Sequence, residues 1–261
     1  MFQYQLAALR AERQAALALY RDLGGSEWET GSRASGWRVR DVVAHLGASC
    51  RILPNLSKIR LLRSDDVEAA NEVQVDARRD WPASRILREY DRRSNLVLKV
   101  MRLHGSLDTF EVSFGNLGRY PLRFLPSFLM FEWHTHLRHD IVPALARPTP
   151  QTDFDRMYCV LEWMMAGLEQ MNTATMGWLD RTIDLKLTAP AGGFWKVSPA
   201  GGGRLTVVSG TLGPTAAASI TGRSIDFPAW ATGRENWREH DLSITGDSDY
   251  AVRFLDSIKI I

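Results

Sequence analysis

The chain has little cysteine, little lysine and no long apolar run, and each shortage removes a class of protein. Two cysteines in 261 residues, Cys50 and Cys159, cannot build a disulfide framework, and both stand in apolar runs where a reduced, buried thiol is the ordinary outcome. A reducing cytoplasm is the expected compartment. No apolar stretch approaches the roughly 20 residues that cross a bilayer, and the opening MFQYQLAALRAER carries charges where the apolar core of a signal peptide would lie. Neither export nor membrane insertion is expected. Thirty-two basic residues, of which only five are Lys, nearly balance thirty acidic ones, for a formal net charge of +2. They are spread along the chain rather than gathered into the basic stripe that tracks phosphates, so nucleic acid is not an expected partner. Small molecules are, with the chain itself a monomer or small homo-oligomer.

The chain is long enough for two domains that each bury a core, and its texture changes once. Residues 3–23 place Leu6, Leu9, Ala16, Leu17 and Leu19 near helical spacing, and Gly24-Gly25-Ser26 ends that helix. Val39, Val42, Val43, Leu46 and Ile52 mark a second helix over 38–62, kinked near Pro54. The polar stretch 63–81 reads as a loop or irregular helix. A third helix starts at Pro82 with Ser84 as its cap, repeats Ile86, Tyr90, Val97 and Met101 on one side and ends near Gly105. Residues 107–122 read as a loop. A fourth helix begins after Pro126 and runs through Glu132, His136 and Asp140 towards Pro143, and a fifth covers 153–178.

Near residue 180 long helical periods give way to short β-rich runs, TIDLKLTAP, GFWKVSP, GRLTVVSG and AAASITG. A helix over 224–233, a strand over 241–245 and a terminal helix over 247–257 follow. The expected fold is two-domain α+β: a helical bundle over 1–150, a bridging helix over 151–180, and a small α/β domain over 181–261.

Glu132 and His136 stand four apart on the fourth helix, so both side chains project from one face and can reach a single ion. A third ligand must come from elsewhere, and His45, in the apolar run DVVAHLGAS, is the candidate, because a buried imidazole there otherwise needs a partner. Two nitrogens and one carboxylate suit zinc with an open fourth position. The alternatives are a satisfied core histidine and a chance surface pair. His134 should face away, His139 could compete as a ligand, and Asp140 either orients the His136 ring or solvates a helix end. Arg234, after Gly233, either grips a carboxylate with its planar fork in the cleft between the domains or complements a helix C-terminus. Trp195, Trp230 and Trp237 read as core more readily than as pocket.

Three segments carry a resemblance. SGWRVRDVVAHLGAS (35–49) resembles the Trp-x-x-Arg-Asp-x-x-x-His segment of the mycothiol-dependent maleylpyruvate isomerase family, a branch of the DinB-like superfamily. EWHTHLRHDI (132–141) is similar to its Glu-x-x-x-His turn followed by Asp. The tail from Ala231 to Ile261 resembles its C-terminal domain, with a Gly-Arg pair and a closing Gly-Asp element. The resemblance implies a DinB-like up-down four-helix bundle with one extra helix, and a small α/β domain. It also implies a zinc site of His45, Glu132 and His136, and a substrate-binding role for Arg234. One departure is visible: the family's acid follows the second histidine at three residues, whereas Asp140 follows at four with His139 interposed.

On this resemblance the expected activity is thiol chemistry. Mycothiol, brought to zinc or another divalent metal, loses its proton and attacks a small electrophile, giving cis–trans isomerisation or S-transfer. The competing readings are a zinc hydrolase acting through metal-bound water, and a non-catalytic metal-binding protein on the same scaffold.

Overall fold

The computed structural model describes residues 2–51, 66–104, 111–210 and 215–261. They divide into two compact units, Met1–Gln151 and Thr152–Ile261. The expected fold class holds: helices build the first unit, and a sheet flanked by helices builds the second.

The first unit contains α1 (Phe2–Asp22), α2 (Gly25–Glu29), α3 (Val39–Ser49), α4 (Val67–Asp76), α5 (Ala83–His104) and α6 (Leu125–Thr135). Its long helices pack α1 against α5 and α6, and α3 against α5. The periodic residues are the buried ones: Leu9, Ala16 and Leu17 on α1, Val42, Val43 and Leu46 on α3, Ile86, Tyr90 and Val97 on α5, Leu129 and Trp133 on α6. Each large side chain so buried is worth about 1.5–3 kcal/mol. Tyr90 meets Tyr20 and Trp133 edge-on, with ring centroids 5.4 and 6.1 Å away. A Cβ on Gly47 would lie 3.3 Å from the Tyr90 backbone nitrogen, which is why α3 and α5 can approach closely there.

Several boundaries differ from the sequence reading. The second helix stops at Ser49, and the kink expected near Pro54 lies outside the described residues. Within the stretch read as a loop over 63–81 lies α4, started by Asp66, whose carboxylate accepts from the Ala69 amide at 3.0 Å. It buries only Val75, so it had no apolar stripe to announce it. The loop expected over 107–122 contains a hairpin of β1 (Glu111–Ser113) and β2 (Arg119–Pro121), strands too short to display alternation. Ser84 lies inside α5, whose first amides instead bond to the Pro82 carbonyl.

The second unit opens with α7 (Phe154–Met171), which ends seven residues before the expected 178 and is started by Asp153 accepting from the Arg156 amide at 3.0 Å. Strands β3 (Ile183–Thr188), β4 (Gly193–Pro199), β5 (Leu205–Ser209), β6 (Ala218–Arg223) and β7 (Ser243–Gly246) form one sheet in the order β5-β4-β3-β6-β7. Only β3 and β6 run parallel. Leu185 faces Trp195 on one neighbour and Ile220 on the other, and its face of the sheet buries Ile183, Leu187, Val197 and Ala218. The short α8 (Phe227–Ala231) and the terminal α9 (Ser248–Ser257) complete the unit, with α9 against β6 and β7. Trp230 is core, packed edge-on to Phe227 at 4.8 Å, while Trp195 and Trp237 are half-buried.

Candidate metal centre

The α3 helix begins with a capping exchange: the Asp41 carboxylate accepts from the Arg38 amide at 3.0 Å and from the Arg38 guanidinium at 2.9 Å. Asp41 is 1% exposed, so this start is fixed, and His45 follows one turn later on the same face. Arg40 reaches Glu29 at 2.7 Å and the Arg79 carbonyl, and the Trp37 indole N–H donates to Glu72 at 2.7 Å. The acid, arginine and tryptophan before His45 therefore tie α3 to its neighbours. None of them stands among the donors themselves.

On α6, Glu132 faces His45 across the bundle, its Oε2 lying 2.9 Å from His45 Nε2 and 3.9 Å from His136 Nε2. One donor atom from each of His45, Glu132 and His136 falls within 4.8 Å of the other two. Donors bound tetrahedrally at about 2.0–2.2 Å from one ion stand about 3.4 Å apart, a spacing that the two measured separations bracket. The donor set thus fits a zinc-sized ion with small side-chain adjustments. Burial pulls the pKa of His45 down, outweighing the opposing pull of Glu132, so the imidazole is held in the neutral, lone-pair form a metal requires.

After Thr135 the helix widens into a π-turn, His136–Ile141, with the Val142 amide bonding back to the Leu137 carbonyl at 3.1 Å. That wider turn carries Asp140, fully buried, under His136, where its Oδ2 sits 2.6 Å from Nδ1. The carboxylate accepts the Nδ1 proton and leaves Nε2 to face Glu132. His139, on the same turn, lies half-buried outside the three-donor cluster. His134 is fully buried and is likewise not in it. The two imidazoles are held differently. Among the described residues no hydrogen-bond partner faces His45 Nδ1, and the Trp37 ring packs against that imidazole instead, centroids 5.2 Å apart.

Arg234 lies in the second unit and has a local explanation. The Gly233 amide bonds to the Trp230 carbonyl and the Arg234 amide to that of Ala229, at 3.1 and 3.0 Å, with Gly233 at φ +73°. These are the paired bonds of a Schellman stop, which needs glycine at that position. The later Gly246-Asp247 pair is similar in kind: Gly246 has φ +86°, and the Asp247 carboxylate starts α9 by accepting from the Tyr250 amide at 3.1 Å.

A helical bundle that gathers two histidines and a glutamate, followed by an α/β unit, defines a two-unit class with a three-donor cluster that could hold a metal ion. Residues 9–108 match the model of the mycothiol maleylpyruvate isomerase N-terminal domain. Among solved structures, the crystal structures of the mycothiol-dependent maleylpyruvate isomerase and of a point mutant of it each superpose with a TM-score of 0.60. Each is 14% identical, over 94% of this chain and 93% of that one. At that identity the match establishes a shared fold across nearly the whole length. No curated protein matches the chain by sequence.

Proposed function

We propose that the chain is a metal- and thiol-dependent enzyme, an isomerase or S-transferase that uses mycothiol against a small electrophile. The reading is carried by the convergence of His45, Glu132 and His136 in a domain matched to that family. A divalent ion held by this trio, zinc by its donor chemistry, would lower the pKa of an incoming thiol so that a thiolate is present near neutral pH. The chain's own residues do the rest. Asp140 keeps the proton on His136 Nδ1 and fixes the ring. Burial keeps His45 neutral and water scarce around the trio. Arg234 is proposed to bind a carboxylate of the substrate through its two-pronged N–H face.

The protein supplies no thiolate of its own. Cys50 and Cys159 are both buried, and desolvation pushes the Cys50 thiol up to about 12. The nucleophile must therefore arrive as a co-substrate. A hydrolase is less well served, because Glu132 is committed to the donor cluster and Asp140 to His136, leaving neither to activate water.

Untagged protein is expected to carry about one zinc per chain and to gain thermal stability with mycothiol but not with glutathione. A shift of equal size with both thiols, or with neither, would reject the thiol assignment. Asp140→Asn is expected to weaken zinc binding roughly 10–100-fold, the usual cost of losing the carboxylate behind a ligating histidine. A competition titration against a chromophoric chelator measures it, and unchanged affinity would reduce Asp140 to a packing residue. For Arg234→Ala we expect kcat/KM to fall about 10–100-fold, the worth of one or two charge-assisted hydrogen bonds, with metal content retained. Wild-type turnover in that variant would leave Arg234 with the helix stop alone.

A further inference from the structure

One face of α5 carries Arg85, Arg88, Arg92 and Asn95 at successive steps of three, four and three residues, so they form a stripe along the helix. All four are exposed, and with Trp81 they line a trough of about 560 Å³. The two acids bordering it are already committed. Glu89 is buried and gripped by Arg78 at 2.6 and 3.2 Å, and Asp91 is held by Arg13 and by Arg21, the latter at 2.9 Å. Among the described residues, no acid pairs with Arg85, Arg88 or Arg92. The pKa of the neighbouring Arg93 is pulled down first by its own burial and then by Arg51, Arg92 and Arg78.

Three like charges on one helix face repel one another, and among the described residues no uncommitted acid of the trough offsets them. The trough is also shaped for a ligand rather than only charged. The Arg85 guanidinium stacks on Trp81 with its carbon 3.6 Å from the ring centroid, which holds the plane and leaves its N–H edge to donate. From Arg85 to Arg92 the stripe spans seven residues, about 10 Å along the axis. That is too long for one phosphate to touch all three guanidinium groups, and it suits a chain of two or three phosphoryl groups, each taking one arginine fork.

We infer that this trough binds a small polyanion bearing linked phosphates, at a site separate from the three-donor cluster. The test is calorimetric titration of the full-length, metal-loaded protein with tripolyphosphate at fixed ionic strength. Saturable one-to-one binding is expected, weakened roughly tenfold or more in Arg88→Gln/Arg92→Gln through loss of charge-assisted hydrogen bonds. Binding should be unchanged in Lys99→Gln, another exposed cation on α5. ATP serves as the second probe. Tighter binding of ATP than of tripolyphosphate, with the difference lost in Trp81→Leu, identifies a nucleotide as the source of the phosphates, and equal affinity identifies inorganic polyphosphate. Absence of saturable binding would overturn the site. So would equal heats in the double arginine variant, as chelation of the bound metal would give, or an equal loss in Lys99→Gln.

Discussion

His136→Ala is expected to purify with less than about a tenth of an equivalent of zinc, where the unaltered chain carries about one. The same change should remove thiol-dependent turnover. The expectation follows from geometry: Glu132 and His136 come from one helix and His45 from another, and the remnant pair of His45 and Glu132 still spans the bundle but has lost the same-helix chelate and the third donor. The loss should exceed that in Asp140→Asn, because the alanine variant removes the donor atom itself and with it the ring that Asp140 orients. A fully buried carboxylate without the imidazole it faced is costly, so His136→Gln is the companion variant that keeps a partner in place. Zinc loading near one equivalent in both variants, measured on folded protein, would mean the trio does not hold the metal.

The second large effect concerns stability. Arg138→Met is expected to destabilise the first unit by about 3–5 kcal/mol, which for a unit of this size lowers Tm by roughly 10 °C or more. Glu12 is fully buried and Arg138 nearly so, and the two form a bidentate pair between α1 and the π-turn. Arg138 also donates to the carbonyls of Pro150 and Gln151, at 3.2 and 3.1 Å, where the chain leaves the first unit. Removing the arginine takes away the bidentate cation that compensates the buried Glu12 carboxylate. Glu12→Leu/Arg138→Met should recover much of the loss, since the buried charge goes with its partner. Thermal unfolding of the three proteins decides it: a single variant as stable as wild type would show that water reaches Glu12.

Much of the fold can be read from spacing because local physics decides it. The segment GFWKVSP is β4 from end to end, bounded on both sides by residues that stop a strand. The stretch after α8 stops at Gly233 because the backbone there needs a left-handed residue. For the candidate site spacing offered Glu132 and His136 on one helix face and His45 in an apolar run but left a core histidine and a chance pair open, and the family resemblance selected the trio that the structure brings within 4.8 Å. What could not be read lies in pairings that sequence distance hides. Glu12 and Arg138 stand 126 residues apart, and nothing in either neighbourhood announces the other. The structural duty of Asp41 was equally hidden, because an acid three residues into a helix reads as ordinary dipole complementarity until its partner Arg38 is seen. The four-residue gap between His136 and Asp140 was a departure only from the spacing of the resembled family, and the π-turn over His136–Ile141, which sequence spacing did not announce, places the carboxylate on the ring.

That turn also sets how the helix can change. A residue added to a regular helix rotates everything beyond it by about 100°, which would swing Ile141 and Val142 out of the core. Here the additional residue is confined to one loosened coil, and both side chains stay buried. Spacing in the metal centre and register in the hydrophobic core are thereby uncoupled. The turn joins the two ends of the helix, one in phase with the donor cluster and the other with the bundle it packs against.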